Sequence, residues 1–98
     1  MNKKIYNVID DAKKIISGHR QNKKNTPENS FTKIAAIWST ILGTKVTARQ
    51  VAICMIGLKI ARDCSNPSYD NLVDIAGYAQ CADMVNNQEF NNETWIYP

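Results

Sequence analysis

The sequence predicts an all-α protein: a small four-helix bundle with an irregular C-terminal tail. Apolar residues recur at helical spacing along nearly the whole chain, helix start and stop signals mark off four segments, and no run alternates in the manner of a strand. The 98 residues make one domain, placed at 1–86, with a tail at 87–98 that carries Phe90, Trp95 and Tyr97. A chain this long can bury roughly 65% of the surface it exposes when unfolded.

In the first helix Ile5, Val8, Ile9, Ala12, Ile15 and Ile16 form the apolar stripe, and Gly18 is its expected stop. The polar stretch HRQNKKNT at 19–26 is expected to be a loop. Thr26-Pro27-Glu28 then supplies an N-cap, a proline at the first helical position and an acid in the first turn. The second helix turns Phe31, Ile34, Ala35, Trp38, Ile41 and Leu42 inward and ends at Gly43. Thr47 and Gln50 have the spacing of a capping box for the third helix. That helix, VAICMIGLKIAR, is apolar almost all round up to Lys59, so it is expected to be the central and most buried one. SNPSYDN breaks it and starts a fourth, capped by Ser68 or Asn66. This last helix buries Leu72, Val73, Ile75, Ala76 and Ala79 and ends near Asn86. Gly77 lies in its middle at a cost of about 1 kcal/mol relative to alanine, which a close helix crossing or a ligand would justify.

Composition excludes several function classes. No apolar run approaches the roughly 18 residues of a membrane span, and the N-terminus lacks a signal-peptide pattern, so a cytoplasmic protein without membrane contact is expected. Cys54, Cys64 and Cys81 are odd in number, have no CxxC spacing and are accompanied by a single histidine, His19. Neither a disulfide framework nor a structural zinc site fits, and buried free thiols are expected. Residues 1–62 hold all 12 Lys and Arg and three acids, whereas residues 63–98 hold six acids and no Lys or Arg. The acidic part can neutralise the basic part within the fold or across an oligomer, which argues against nucleic acid as a partner. The four glycines are scattered and form no phosphate loop, and no serine has a histidine placed to activate it.

The chemistry-bearing residues gather around the turn between the third and fourth helices. Lys59 and Arg62 lie three apart near the end of one, Asp70 and Asp74 four apart near the start of the next. A short antiparallel connection brings both sets to one end of the hairpin. Two interhelical ion pairs, Arg62–Asp70 and Lys59–Asp74, are the structural expectation. In a cleft the same cations would neutralise a phosphate, the two aspartates could hold a hard cation, and Tyr78 could stack on a base.

The segments ENSFTKIAAIWSTIL and TARQVAICMIGLKIARDCSNPSYDNLVDIAGYA, with Arg20 before them, resemble a family of small uncharacterised bacteriophage proteins over roughly residues 15–80. The KxAR…D…DxAGYA block is the most specific part. That family is in turn distantly similar to MazG-type all-α nucleoside triphosphate pyrophosphohydrolases, helical oligomers that hold Mg²⁺ with ExxE on one helix and ExxD on the next. Laid over this chain, those motifs fall on Lys59 and Arg62 and on Asn71 and Asp74, so three of four acidic positions are not acids. In the loop, Lys24, Asn25 and Thr26 replace the tyrosine, glycine and aspartate typical of phage relatives, and Lys23 and Lys24 would favour an anion.

The resemblance and the substitutions together imply a non-catalytic binder of a nucleotide or cyclic nucleotide signal, acting by sequestration as an anti-defence sponge. Its site would comprise Lys59, Arg62, Asp70, Asp74, Tyr78, Arg20 and Lys24, in a homo-oligomer that needs no cofactor. One alternative is a Mg²⁺-dependent pyrophosphohydrolase with Asp70, Asp74 and Glu28 as metal ligands. Another is a structural or interaction protein whose charged residues only join helices and whose tail aromatics anchor a partner.

Overall fold

In the computed structural model the described backbone covers residues 7–21 and 26–89, and the described side chains residues 7–18 and 26–85. Four α-helices account for nearly all of it: α1 (Val8–Gln21), α2 (Pro27–Leu42), α3 (Ala48–Ser65) and α4 (Tyr69–Glu89). Residues 1–6 with Ile5, the loop residues 22–25, and 90–98 with Phe90, Trp95 and Tyr97 lie outside the described residues.

The helix boundaries follow from local chemistry. Asn7 starts α1, its side-chain oxygen accepting the Asp10 amide at 3.1 Å. Gly18 does not stop this helix, which continues to Gln21. A glycine ends a helix by adopting a left-handed conformation, and among the described residues only Gly43 does so. Thr26 caps α2 by accepting the Asn29 amide at 3.3 Å, with Pro27 at the first position. At the other end Gly43, with φ 68°, donates its N–H to the Ser39 carbonyl at 3.0 Å. The Ser39 hydroxyl also accepts the Val46 amide at 2.8 Å, tying the α2–α3 connection to α2. The capping box of α3 is complete: Gln50 N–H donates to Thr47 Oγ1 at 3.1 Å and Thr47 N–H to Gln50 Oε1 at 2.9 Å. Ser68 caps α4, accepting the Asn71 amide at 3.2 Å. With no glycine or proline between Ala79 and Glu89, α4 continues to Glu89, three residues beyond the expected end near Asn86.

The fold is the expected all-α class, a small bundle. α3 and α4 form an antiparallel hairpin, and α1 and α2 both pack against α4. Tyr69, at the start of α4, donates its hydroxyl proton to Asp11 near the start of α1. Further along α4, Phe31 of α2 stands against Tyr78, with ring centroids 6.1 Å apart. α1 does not reach α3. The core lies at the α2–α3–α4 end, where Phe31 and Ala35, Ala48, Val51 and Ala52, and Cys81, Ala82 and Val85 meet. Trp38 and Met55 pack against this cluster.

Because small residues dominate the contact, only one side of each helix is covered. α3 is not the most buried helix: only Ala48, Val51 and Ala52 are buried, and Ile53, Leu58 and Ile60 are exposed. Cys54 and Cys64 fall on the same uncovered side, so only Cys81 is a buried thiol. Ile41, Leu42 and Leu72, expected inside, are also exposed. A helix that is apolar all round does not reveal which side a small bundle covers.

Val51 and Val85 are the large side chains with essentially no exposure. Val51→Ala and Val85→Ala are each expected to cost about 1–3 kcal/mol in chemical denaturation. Tyr69→Phe is expected to cost about 1 kcal/mol and to speed hydrogen exchange in α1 while leaving α3 protected.

Candidate functional site

Between them, α1, α2 and α4 leave a cavity of about 280 Å³. α1 contributes Ile15 and Ile16, α2 contributes Pro27, Ser30 and Phe31, and α4 contributes Val73, Asp74, Gly77, Tyr78 and Cys81. The walls are mainly apolar and carry one carboxylate, that of Asp74. Lys59 reaches across from α3 and pairs with it, Nζ to Oδ2 at 2.8 Å. This pair lies on the inner side of the hairpin, the lysine side chain 16% and the aspartate 35% exposed.

Gly77 is a mid-helix glycine that no packing explains. A Cβ built on it would meet nothing within 4 Å, so no close helix crossing requires its small size. Since Gly77 lines the cavity, a side chain there would take up part of its volume.

The structure joins some of the expected site residues and separates others. Lys59, Asp74 and Tyr78 come together at the cavity, as the helical spacing i, i+4 on α4 requires. Arg62 does not pair with Asp70 among the described residues. It lines a separate, open depression at the α3–α4 turn with Ser65, Asn66, Ser68 and Asn71. The reason lies in the turn itself, where Asp63 accepts the Ser68 amide at 3.0 Å and the Asn71 side-chain amide at 3.3 Å. These bonds fix the start of α4 and leave Asp70 on its exposed side. Asp63 was not singled out in the sequence, although an acid five residues before a helix-capping serine is the signal. Phe31 and Ser30 were likewise missed as site residues, because an apolar stripe does not distinguish a cavity wall from a core. Arg20 belongs to α1, but its side chain and all of Lys24 lie outside the described residues.

Among the described residues no three His, Cys, Asp or Glu side chains lie close enough to hold a metal ion. Glu28, Asp70 and Asp74 therefore do not assemble into the carboxylate cluster that a Mg²⁺-dependent hydrolase needs. Among the same residues, no helix is long and apolar enough to cross a membrane.

The architecture is thus an all-α hairpin joined by two further helices, with a cavity between α1, α2 and α4. Residues 7–86 match the family model described as Domain of unknown function (DUF6378), and the chain belongs to that family. It is 30% identical over 87 residues to the Gene 55 protein of Mycobacterium phage D29, covering 88% of this chain and 58% of the relative. It is 38% identical over 74 residues to the Gene 55 protein of Mycobacterium phage L5, covering 74% of this chain and 47% of the relative. The chain thus spans about half the length of these curated relatives, which are phage proteins. No solved structure matches it.

The burial of the Lys59–Asp74 pair predicts an asymmetry. Asp74→Ala strands a largely buried ammonium and is expected to cost about 1–3 kcal/mol. Lys59→Met keeps the apolar stem and leaves a carboxylate that water still reaches, so a cost of about 0–1 kcal/mol is expected. Urea denaturation of the two variants checks the order.

Proposed function

We propose that the chain binds a nucleotide, or a cyclic nucleotide signal, without cleaving it. The observation that carries this reading is the cavity beneath Gly77, walled by Phe31 and Tyr78 and edged by the Lys59–Asp74 pair. An apolar chamber with aromatic walls and one polar edge is suited to a heterocyclic base, which offers a flat apolar face and hydrogen-bonding rim atoms. At about 280 Å³ it is near the lower limit of small-molecule sites, with room for one base and not for a whole dinucleotide. The phosphates would lie outside, where Lys59 and Arg62 on α3 supply positive charge. Arg20 and Lys24 belong to the same proposed anion-binding set.

In this reading the sequence resemblance to MazG-type pyrophosphohydrolases makes a nucleotide the ligand class. The lack of a three-acid group among the described residues favours capture over hydrolysis. A phage-encoded binder of this kind would act in the cytoplasm of the infected bacterium, sequestering a nucleotide signal of host defence.

The test is to mix purified protein with a panel of NTPs, dNTPs and cyclic mono- and dinucleotides in Mg²⁺. The flow-through of an ultrafilter is analysed, and then the material released by heating the retained protein. One nucleotide is expected to vanish from the flow-through and return intact. Its return as monophosphate and pyrophosphate would contradict capture, and a panel left wholly in solution would end the proposal. Gly77→Ala is expected to raise helix stability by about 1 kcal/mol while lowering affinity for the captured nucleotide about tenfold or more. Stabilisation with unchanged affinity would mean that the ligand lies elsewhere.

A further inference from the structure

The cavity between α1, α2 and α4 has few polar side chains. Among its lining residues Ser30, Asp74, Tyr78 and Cys81 carry them, and the rest of the wall is apolar. A hydroxyl donates or accepts as its neighbour requires, and a thiol does either weakly. Ser30, Tyr78 and Cys81 therefore discriminate little between one base edge and another. Asp74 is different. Paired through Oδ2 with the Lys59 ammonium at 2.8 Å, it is a carboxylate, and a carboxylate only accepts. Its two oxygens offer about four lone-pair sites, and Lys59 occupies one of them. No other hydrogen bond to this carboxylate forms among the described residues, and the side chain is 35% exposed. Its negative charge repels a phosphate, so the base is the end of a nucleotide that enters.

We propose, on the reading of this cavity as a nucleotide site, that Asp74 selects for guanine. Guanine carries two hydrogen-bond donors side by side, a ring N–H and the exocyclic amino group. A carboxylate accepts from both at once, as it does from the fork of an arginine. Adenine and cytosine set a ring-nitrogen lone pair beside their amino group, and the second carboxylate oxygen repels it. Uracil and thymine have one N–H between two carbonyls, which meet the same repulsion. Selection comes from these repulsions as well as from the bonds to guanine. Placement agrees with the chemistry. Tyr78 stands one turn beyond Asp74 on the same side of α4, so a base lying on the aromatic wall turns an edge toward the carboxylate.

Equilibrium dialysis of the full chain tests the proposal with guanosine, inosine, xanthosine, adenosine, cytidine and uridine triphosphates, and with cyclic guanosine and adenosine monophosphates. Inosine lacks only the exocyclic amino group of guanosine, and xanthosine has a carbonyl in its place. Guanine nucleotides are expected to bind about tenfold or more tighter than the inosine one, the loss of a single hydrogen bond to a charged group. Over adenine, where a bond is also exchanged for a repulsion, the margin is expected to be about a hundredfold. Asp74→Asn keeps the shape of the side chain. Its amide oxygen still accepts from Lys59, which turns the amide nitrogen, now a donor, toward the ligand. This variant is expected to lose guanine about tenfold or more and to gain xanthine by a similar factor. Damage to the fold does not produce such a gain. Equal binding of guanosine and inosine triphosphates, preference for another base, or an unchanged base preference in Asp74→Asn would overturn the selection and leave nucleotide capture standing. If the variant does not fold, the wild-type ratio of guanosine to inosine binding decides alone. If the wild-type protein binds none of these nucleotides, capture itself fails and the selection with it.

Discussion

The arrangement depends on α4, one rod of 21 residues that has to receive three other helices. Close approach to it is possible because the contacts are made with small side chains, Ala82 and Cys81 on α4 and Ala48 and Ala52 on α3. Small residues let helix axes come near each other but contribute little apolar area each. The hairpin is therefore tight where α2 joins it and, among the described residues, uncovered on its outer side. α1 and α2 both pack against the 73–81 stretch of α4 without filling the space between them, and the cavity opens there.

Electrostatics follow the same geometry. The hairpin places Lys59 and Asp74 opposite each other on its inner side, where both lose part of their hydration and hold each other in place. Arg62 is one helical turn further toward the end of α3, beside a turn whose hydrogen bonds are already supplied by Asp63. The two cations thus have different situations, one fixed in a pair at the cavity edge and one at an open polar depression. Any anion that used both would have to span the distance between those two places.

Much of the fold was legible because its signals are local. Thr26-Pro27, Gly43 and the Thr47/Gln50 box mark helix ends through bonds between residues three or four apart, and these form as expected. The Lys59–Asp74 pair was legible too, since a short antiparallel connection fixes which helix ends meet. The rest depends on which side of each helix is covered, and periodicity does not carry that information when a helix is apolar all round. Hence Ile53, Leu58 and Cys54 were expected inside and lie outside. Gly18 misled for a related reason, because a glycine stops a helix only when the chain takes it into the left-handed region. The cavity wall formed by Phe31 and Ser30 was not legible at all, because it arises where two helices fail to fill the space over a third.

The central claim is that the space beneath Gly77 receives the base of a nucleotide. Titrating the isotopically labelled protein with the nucleotide it retains, and following backbone amide shifts, tests that claim most directly. The account predicts saturable shifts concentrated at Ser30, Phe31, Asp74, Gly77 and Tyr78, on the three helices around the cavity. Shifts confined to the α3–α4 turn around Arg62, Ser65 and Asn66, with the cavity residues unmoved, would contradict it.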